Sequence, residues 1–328
     1  WAEADWGAAS RVLWGDGTEA TAIIAAHRES LGASPPIALL HIDPARPADA
    51  QRHTLDEMQP RLDLLLKAWA PHLAENPALI LDLSPRLSAG QRSEVAAIVS
   101  ELWPEAATTW QWMTQGRGRI DRLSLWLGAA SSPGVETRYV RIPPQSQQAA
   151  IIVADSHTRD ETRTDPSSST IEPPSPSEGS ARSLPRVGEY LTILDAALVS
   201  SGLAEPWLDT VLPQQERFRW LEREGRRPVI THPKQLEIDP EGESLLVQAS
   251  GQIVAIISME ITLENVPLLV DIAVENKLHP VTIRAPLDPE IQPRVQAALH
   301  RMLRDKGGVS PGFVLCDPSS SRLFICRE

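Results

Sequence analysis

Cysteine is nearly absent from this sequence, since only Cys316 and Cys326 occur among its 328 residues. Two cysteines are too few for a disulfide framework or for a cysteine-rich zinc or iron–sulfur site. The sequence also has no signal peptide and no apolar run near the roughly 18 residues that a membrane span requires. We therefore expect a cytoplasmic protein with no metal centre and no membrane partner.

Positive charge is also in deficit. The chain has 31 Lys and Arg residues against 43 Asp and Glu residues, which gives a formal net charge of −12. Affinity for nucleic acids depends largely on Lys and Arg side chains that displace counterions from phosphates. Any contact with RNA must therefore be local, and the oligomeric state does not follow from these totals.

The length and one biased segment predict two domains. A single core rarely grows beyond roughly 250–300 residues, so 328 residues favour two cores. Residues 155–188 are dense in Ser, Thr, Pro, Asp and Glu and hold few apolar residues. Such a composition cannot offset the entropy of ordering, which predicts a flexible linker between a domain at 1–154 and a domain at 189–328.

The first domain has the pattern of an α/β fold. The apolar periodicity predicts strands at 10–16, 37–43, 78–84, 108–114 and 121–128, and helices at 54–73 and 89–102. The glycine-rich residues 115–119 join the last two strands as a hairpin. Strands that alternate with helices indicate a mainly parallel sheet, here with an antiparallel last pair.

The second domain has the pattern of an α+β fold. We expect helices at 189–211, 263–276 and 289–303, and strands at 228–233, 245–261, 280–285, 312–318 and 322–328. Two helices on an antiparallel sheet predict a ferredoxin-like arrangement in the last hundred or so residues.

Candidate functional residues occur where strands of the first domain end, because ligands of open α/β sheets bind at the carboxyl ends of the strands. The first predicted strand ends in Gly15 and Asp16, the second in Asp43 and Pro44, and the third in Ser84 and Pro85. An aspartate there can accept a hydrogen bond from a cofactor or lie beside a reacting group. It can equally cap a helix or turn the chain, and Ser84 can satisfy backbone groups.

The order of these motifs resembles a known family. A strand running into "DPAR" at Asp43, then a helix, then a strand ending in "LSP" at Ser84, is similar to the later half of a class I S-adenosylmethionine-dependent methyltransferase. The segments "EYLTILDAALVSSGLAE" and "VTIRAPLDPEIQPRVQAAL" resemble those of bacterial methyltransferases that carry a C-terminal THUMP-like domain. The resemblance therefore implies a partial Rossmann-like sheet followed by a THUMP-like domain.

The resemblance also implies roles for single residues. Asp43, Pro44 and Arg46 fall on the catalytic motif, with Asp43 beside the methyl donor S-adenosylmethionine. Asp16, with Gly15, falls where such enzymes hold the adenine amine of the cofactor. Ser84 and Pro85 fall on the side that faces the methyl acceptor.

Two departures from the family pattern limit what this chain can do. The Asp-x-x-x-Gly-x-Gly loop that cradles the cofactor is absent, and the chain begins at Trp1 rather than at Met. We therefore expect an N-terminally truncated enzyme that binds S-adenosylmethionine poorly by itself. The acceptor atom stays open, because Arg46 replaces the aromatic residue of amino methyltransferases and Ser84 replaces the thiolate of uracil C5 enzymes.

A basic, aromatic segment of the second domain is a candidate RNA contact. Arg217, Arg219, Trp220 and Arg223 lie close together in the sequence. Interleaved arginine and aromatic side chains suit phosphates and unstacked bases. The alternative is an amphipathic helix whose basic face is merely solvated.

Two functions remain open. The first is methyl transfer from S-adenosylmethionine, with RNA as the acceptor. The second is a non-catalytic module that binds nucleic acid or another partner on a degenerate methyltransferase scaffold.

Overall fold

The structure of the protein is a computed structural model. It describes residues 15–31, 37–45, 55–144, 150–154, 184–213, 217–240, 242–306, 308–317 and 320–328. The described residues divide into two compact units. The first holds the residues up to Val140, except 115–119, together with Ala154, and the second holds 115–119, 141–153 and the residues from 184 onward.

The first sheet has six strands in the order β1-β2-β4-β3-β5-β6: β1 (Leu40–Ile42), β2 (Ala78–Leu83), β3 (Thr108–Thr114), β4 (Arg122–Gly128), β5 (Thr137–Arg141) and β6 (Ile151–Ala154). β1 and β2 are parallel, whereas β4 runs antiparallel to both β2 and β3. β4 is thus a reversed strand between two strands of one direction, and the antiparallel pairing expected for β3 and β4 is observed. The sequence analysis did not predict β5 or β6.

Three helices belong to the first unit: α1 (Ala20–Leu31), α2 (Leu62–Trp69) and α3 (Ala89–Leu102). α3 has the predicted bounds and begins with a capping box, in which the Ser88 hydroxyl accepts from the Gln91 amide and the Gln91 side chain accepts from the Ser88 amide. The helix predicted at 54–73 is broken, because Pro60 cannot donate a helical hydrogen bond and α2 begins only at Leu62. α1 was not predicted.

The two faces of the first sheet differ in chemistry. Alternate residues of β2 and β4 are leucines that are at most 4% exposed: Leu79, Leu81, Leu83, Leu123, Leu125 and Leu127. Since successive side chains of a strand point to opposite faces, the residues between these leucines share the other face. That face carries Asp82, Ser124 and Trp126, and it is where the polar groups of this unit meet.

The second sheet has seven strands in the order β11-β12-β13-β10-β7-β9-β8: β7 (Tyr190–Leu194), β8 (Arg219–Glu222), β9 (Val229–His232), β10 (Val247–Ser258), β11 (Leu278–Ile283), β12 (Ser310–Cys316) and β13 (Arg322–Arg327). The long strand β10 pairs with β7 through residues 247–252 and with β13 through residues 252–258. Residue Gln252 is paired on both sides.

The helices of the second unit are α4 (Ala196–Ser200), α5 (Ala204–Val211), α6 (Val266–Glu275) and α7 (Ile291–Leu303). Buried residues of α6 and α7, among them Leu269 and Leu299, form one core cluster with Val281 and Ile325. A second cluster joins Leu191, Ile193, Phe313 and Phe324, among others. Across the described residues, no helix has the length and hydropathy of a membrane span.

Three expectations for the second unit are wrong. The helix expected at 189–211 opens with strand β7, because Leu191 and Ile193 are buried on one face and the helical part begins only after the N-cap Asp195. The basic segment 217–227 contains strand β8 rather than an amphipathic helix. The last hundred residues follow β10-α6-β11-α7-β12-β13, which differs from the ferredoxin-like order, and β11 and β12 are parallel.

Candidate functional site

Asp43 and Ser84 follow the ends of two neighbouring parallel strands. Ile42 of β1 is opposite Leu81 of β2, so both strands end at the same edge of the sheet. Asp43 is exposed, and the next residue, Pro44, is buried and fixes the direction in which the chain leaves. Arg46, the last residue of the predicted catalytic motif, lies outside the described residues.

Beside Asp43 the face of the sheet carries a network of polar side chains. Asp82, the residue before the last of β2, is 6% exposed. Its Oδ1 atom accepts from the Ser124 hydroxyl at 2.6 Å, and its Oδ2 atom accepts from His41 Nε2 at 2.9 Å and from an Arg122 guanidinium nitrogen. A buried carboxylate is tolerated where several donors compensate its lost hydration, and here three neighbours do so.

The network fixes how His41 is presented. A carboxylate only accepts hydrogen bonds, so Nε2 of His41 carries the hydrogen and the neutral ring has its lone pair on Nδ1. The side chain is 48% exposed, and no hydrogen bond within the described part of the chain occupies Nδ1. Asp43 follows β1, which ends at Ile42, and lies two positions after His41, about 7 Å along an extended chain. His41 can accept a proton from a group bound near Asp43.

Sequence reasoning missed this network. Asp82, Arg122 and Ser124 alternate with the buried leucines of β2 and β4, and His41 precedes the buried Ile42 of β1. The available signal was a charged residue, Asp82, between Leu81 and Leu83, because a carboxylate in an apolar strand needs a partner.

Asp16 lies in the turn before α1 and is exposed. Its Oδ1 atom accepts from the Thr18 amide at 2.9 Å and from the Thr18 hydroxyl at 2.7 Å, and these hydrogen bonds lower the pKa of Asp16. This is the chain-turning role that was the alternative to cofactor binding. Trp69 of α2 donates to the Gly17 carbonyl at 2.9 Å, which attaches the turn after Gly15 and Asp16 to the first unit.

Ser84 is 1% exposed and its hydroxyl accepts from the Arg86 amide at 3.2 Å. The Ser84 carbonyl accepts from the Leu87 amide at 3.1 Å, so Ser84 and the half-buried Pro85 form part of a turn. This placement favours the structural role for the hydroxyl, whereas substrate contact by Ser84 or Pro85 stays a prediction.

The predicted RNA-contacting residues lie in the second unit, and three of the four are bound to acidic side chains. Arg219 pairs with Glu189 at 3.0 Å. Glu205 Oε1 accepts from Arg223 at 3.1 Å and from the Trp220 indole at 3.1 Å, and Arg223 lies 5.4 Å from the centre of the Trp220 ring. Arg217 is exposed. The positive charge of this segment is therefore largely balanced within the unit.

The His, Cys, Asp and Glu side chains of the described residues are the candidate ligands of a metal ion, and the two cysteines are the candidate reactive thiols. Among the described residues, no group of three His, Cys, Asp or Glu side chains could hold a metal ion. Cys326 is fully buried, and this burial raises the pKa of its thiol and suppresses its reactivity. Cys316 is a second free cysteine, whose thiol pKa is also raised by burial.

Comparison with known proteins adds little. The chain matches no protein-family model and no curated protein sequence. A crystal structure of a candidate methyltransferase from Porphyromonas gingivalis W83 aligns with a TM-score of 0.45 and 12% sequence identity, over 89% of this chain. The aligned part spans 59% of that protein. This similarity is too low to carry an argument about function.

Proposed function

We propose that the intact protein is an S-adenosylmethionine-dependent methyltransferase whose acceptor is RNA. The observation that carries the proposal is Asp43 at the shared carboxyl edge of β1 and β2, next to a histidine that a buried aspartate orients. The reversed strand β4 beside β2 agrees with the antiparallel last pair that the resemblance to class I methyltransferases implies.

Two described residues support the proposed cofactor site. Thr18 occupies only Oδ1 of Asp16, so Oδ2 can accept a hydrogen bond from the adenine amine. Asp43 is exposed at the strand edge, where the resemblance implies the methyl donor. When bound, S-adenosylmethionine supplies an electrophilic methyl group on a positively charged sulfur.

The residues of this chain would orient and deprotonate the acceptor. Asp43 accepts a hydrogen bond from the acceptor group and holds it at the strand edge. His41 receives the proton on Nδ1, and the Asp82 carboxylate stabilises the imidazolium that forms. Arg122 and Ser124 keep the carboxylate in place, so both act as positioning residues.

A methyl-transfer assay tests the proposal. The full-length protein, including any segment encoded before Trp1, is incubated with total RNA and isotopically labelled S-adenosylmethionine. We expect label in RNA, and we expect D43A and H41N to lower the rate by about 10²- to 10⁴-fold, the usual contribution of a positioned acid or base. The control variant is E105Q, which changes an exposed carboxylate of the same unit. A full-length protein that contains the cofactor loop but labels no RNA would contradict the proposal.

A binding measurement tests the expected weak binding of S-adenosylmethionine. Calorimetric titration of residues 1–328 with S-adenosylmethionine should show little or no binding, because the cofactor loop is absent from the sequence. Binding at micromolar affinity would show that the expectation is wrong. If the full-length protein binds RNA without methylating it, the non-catalytic module becomes the better explanation.

A further inference from the structure

The second unit contains a cavity of about 300 Å³ between β7, β10 and the chain after β9. Tyr190, Ser250, Gln252, Leu236, Ile238 and Arg327 are among the residues that line it. This volume is at the lower end of the range for small-molecule sites, so it suits a ligand of about one or two rings. None of these residues belongs to the site at Asp43.

A chain of hydrogen bonds fixes the chemistry of Ser250. His232 Nδ1 lies 2.5 Å from the Lys234 carbonyl oxygen, which only accepts, so Nδ1 carries the hydrogen of the neutral ring. His232 Nε2 must then accept from the Thr192 hydroxyl at 2.8 Å. Thr192 has given its hydrogen to His232, so it accepts from the Ser250 hydroxyl at 2.7 Å.

Burial keeps the hydrogen bonds in one direction, from Ser250 through Thr192 to His232. Thr192 is fully buried and His232 is 2% exposed. Burial is the main cause that lowers the pKa of His232, which favours the neutral ring on which the direction depends. Ser250 has no spare hydrogen for the cavity, and its oxygen can only accept there.

The other walls suit a flat ring that can form hydrogen bonds. The Gln252 amide nitrogen donates to the Gly188 carbonyl at 3.1 Å, so its Oε1 atom and its second N–H group remain for a ligand. Leu236 and Ile238 are apolar, and the Tyr190 ring is stacked on His232 with centroids 5.8 Å apart. Rigid aromatic and aliphatic walls favour a planar ligand over a flexible one.

We infer that this cavity binds a nucleobase that carries an exocyclic amino group, as in adenine or cytosine, and that the amino group donates to Ser250. An oxo group at the same ring position, as in inosine or uridine, would place two acceptors against each other. The inference concerns a second site and does not depend on methyl transfer.

Nucleoside titration tests the inference. Adenosine, cytidine, inosine and uridine are added to residues 1–328, and binding is followed by nuclear magnetic resonance shifts of the Gln252 and Ser250 amides. We expect adenosine and cytidine to bind about three- to tenfold more tightly than inosine and uridine, since one neutral hydrogen bond is at stake. Equal affinity for amino and oxo nucleosides, or no shift with any of them, would overturn the inference.

Variants locate the preference. S250A removes the acceptor, and T192V frees the Ser250 hydrogen, so both should abolish the preference for amino nucleosides. S200A replaces an exposed serine outside the cavity and should retain it. T192V is tested for folding by near-ultraviolet circular dichroism. If it does not fold, S250A, at a half-buried position, decides whether Ser250 causes the preference for amino nucleosides. n-Butylamine is a further probe, because it has an amino group but no ring. If it bound as tightly as adenosine, the cavity would not recognise a ring.

Discussion

At the scale of single residues, Asp82 explains how the polar face of the first sheet is organised. A charged side chain in an apolar strand is costly unless hydrogen bonds replace its water. His41, Arg122 and Ser124 provide these bonds from β1 and β4. The carboxylate therefore connects β1, the strand that precedes Asp43, with the reversed strand β4.

Replacing Asp82 by asparagine should destabilise the first unit. The D82N change keeps the shape but removes the charge that three donors share, and the loss of a charged hydrogen-bond partner costs about 1–3 kcal/mol. Urea denaturation at pH 7 measures the change in the free energy of unfolding. E105Q removes an exposed carboxylate and should leave that free energy within about 0.5 kcal/mol of the wild-type value. Equal effects of the two substitutions would argue against the network.

His232 should make the stability of the second unit depend on pH. Burial lowers its pKa in the folded state below the value of about 6.5 expected for an unfolded chain. The unfolded state therefore binds more protons below about pH 6.5, and the free energy of unfolding falls as the pH drops through this range. The stabilisation is fully present above pH 6.5. Urea denaturation at pH 7.5 and 5.5 should show the decrease.

Two variants separate His232 from the other titrating groups. H232Q should be less stable at pH 7.5 but should lose less stability on acidification than the wild type. H300Q removes an exposed histidine of α7 and should keep the wild-type pH dependence. An unchanged slope in H232Q would exclude His232 as the cause.

The sequence predicted individual site residues unevenly. Asp43 and Asp16 were selected as candidates because each stands where an apolar run gives way to a turn, and their roles in a site stay predictions. The hydrogen bonds of Asp82 could not be found, since His41, Arg122 and Ser124 approach it from other strands. Pairing between strands is information that the order of residues does not contain.

At the scale of elements, the capping box of α3 is a local stabilising feature. S88A removes the hydroxyl that accepts from the Gln91 amide at 3.2 Å, and loss of an N-cap costs about 1 kcal/mol. S93A lies in the same helix on an exposed position, where alanine has the better helix propensity, and should be neutral or slightly stabilising. Thermal denaturation of the two variants compares them. A loss of similar size in both would point to the helix surface rather than to the cap.

Strand β8 carries Arg219 of the predicted RNA patch, and Arg223, just after this strand, pairs with Glu205 of helix α5. E205Q removes the negative charge that pairs with Arg223. If this segment contacts RNA, the freed guanidinium should add one phosphate contact, and the slope of log K against log salt should become steeper by about 0.7 for a single strand. Fluorescence anisotropy with labelled single-stranded RNA measures the slope.

The control for E205Q is D209N, which removes an exposed negative charge from the same helix. D209N should raise the affinity for RNA only through the net charge. It should change the slope of log K against log salt less than E205Q does. No RNA binding by any of the three proteins would show that the RNA-contact prediction for this segment is wrong.

Elements with one strong period were predicted, and short apolar runs were not. α3 and α7 have an apolar face at helical spacing, and β10 is a long β-rich run, so each was found near its observed bounds. β7 was predicted as helix because its five residues, Tyr190–Leu194, are almost all apolar or β-branched. So short a run fits the period of a helix as well as that of a strand. The parallel pairing of β11 with β12 could not be read from the sequence, since it depends on the path of α7.

At the scale of the whole molecule, the described residues divide into two compact units, whereas the domains expected at 1–154 and 189–328 stay a prediction. Residues 155–183 of the linker predicted at 155–188 lie outside the described part of the chain. The flexibility of the linker therefore stays a prediction from composition. Limited trypsin digestion tests it. The first cuts should fall at Arg159, Arg163 or Arg182 and leave two resistant fragments, identified by mass spectrometry. First cuts inside 55–144 would contradict the prediction.

Strand β10 has a further consequence for the second unit. Its first half is bonded to β7 and its second half to β13, and Gln252 is bonded to both. Neither side of the sheet can open without releasing part of β10, so the strand couples the two sides energetically. The slowest amide hydrogen exchange in the unit should therefore centre on residues 250–254. The floor of the nucleobase cavity would then be its most protected backbone, so a ligand there would meet a preformed surface.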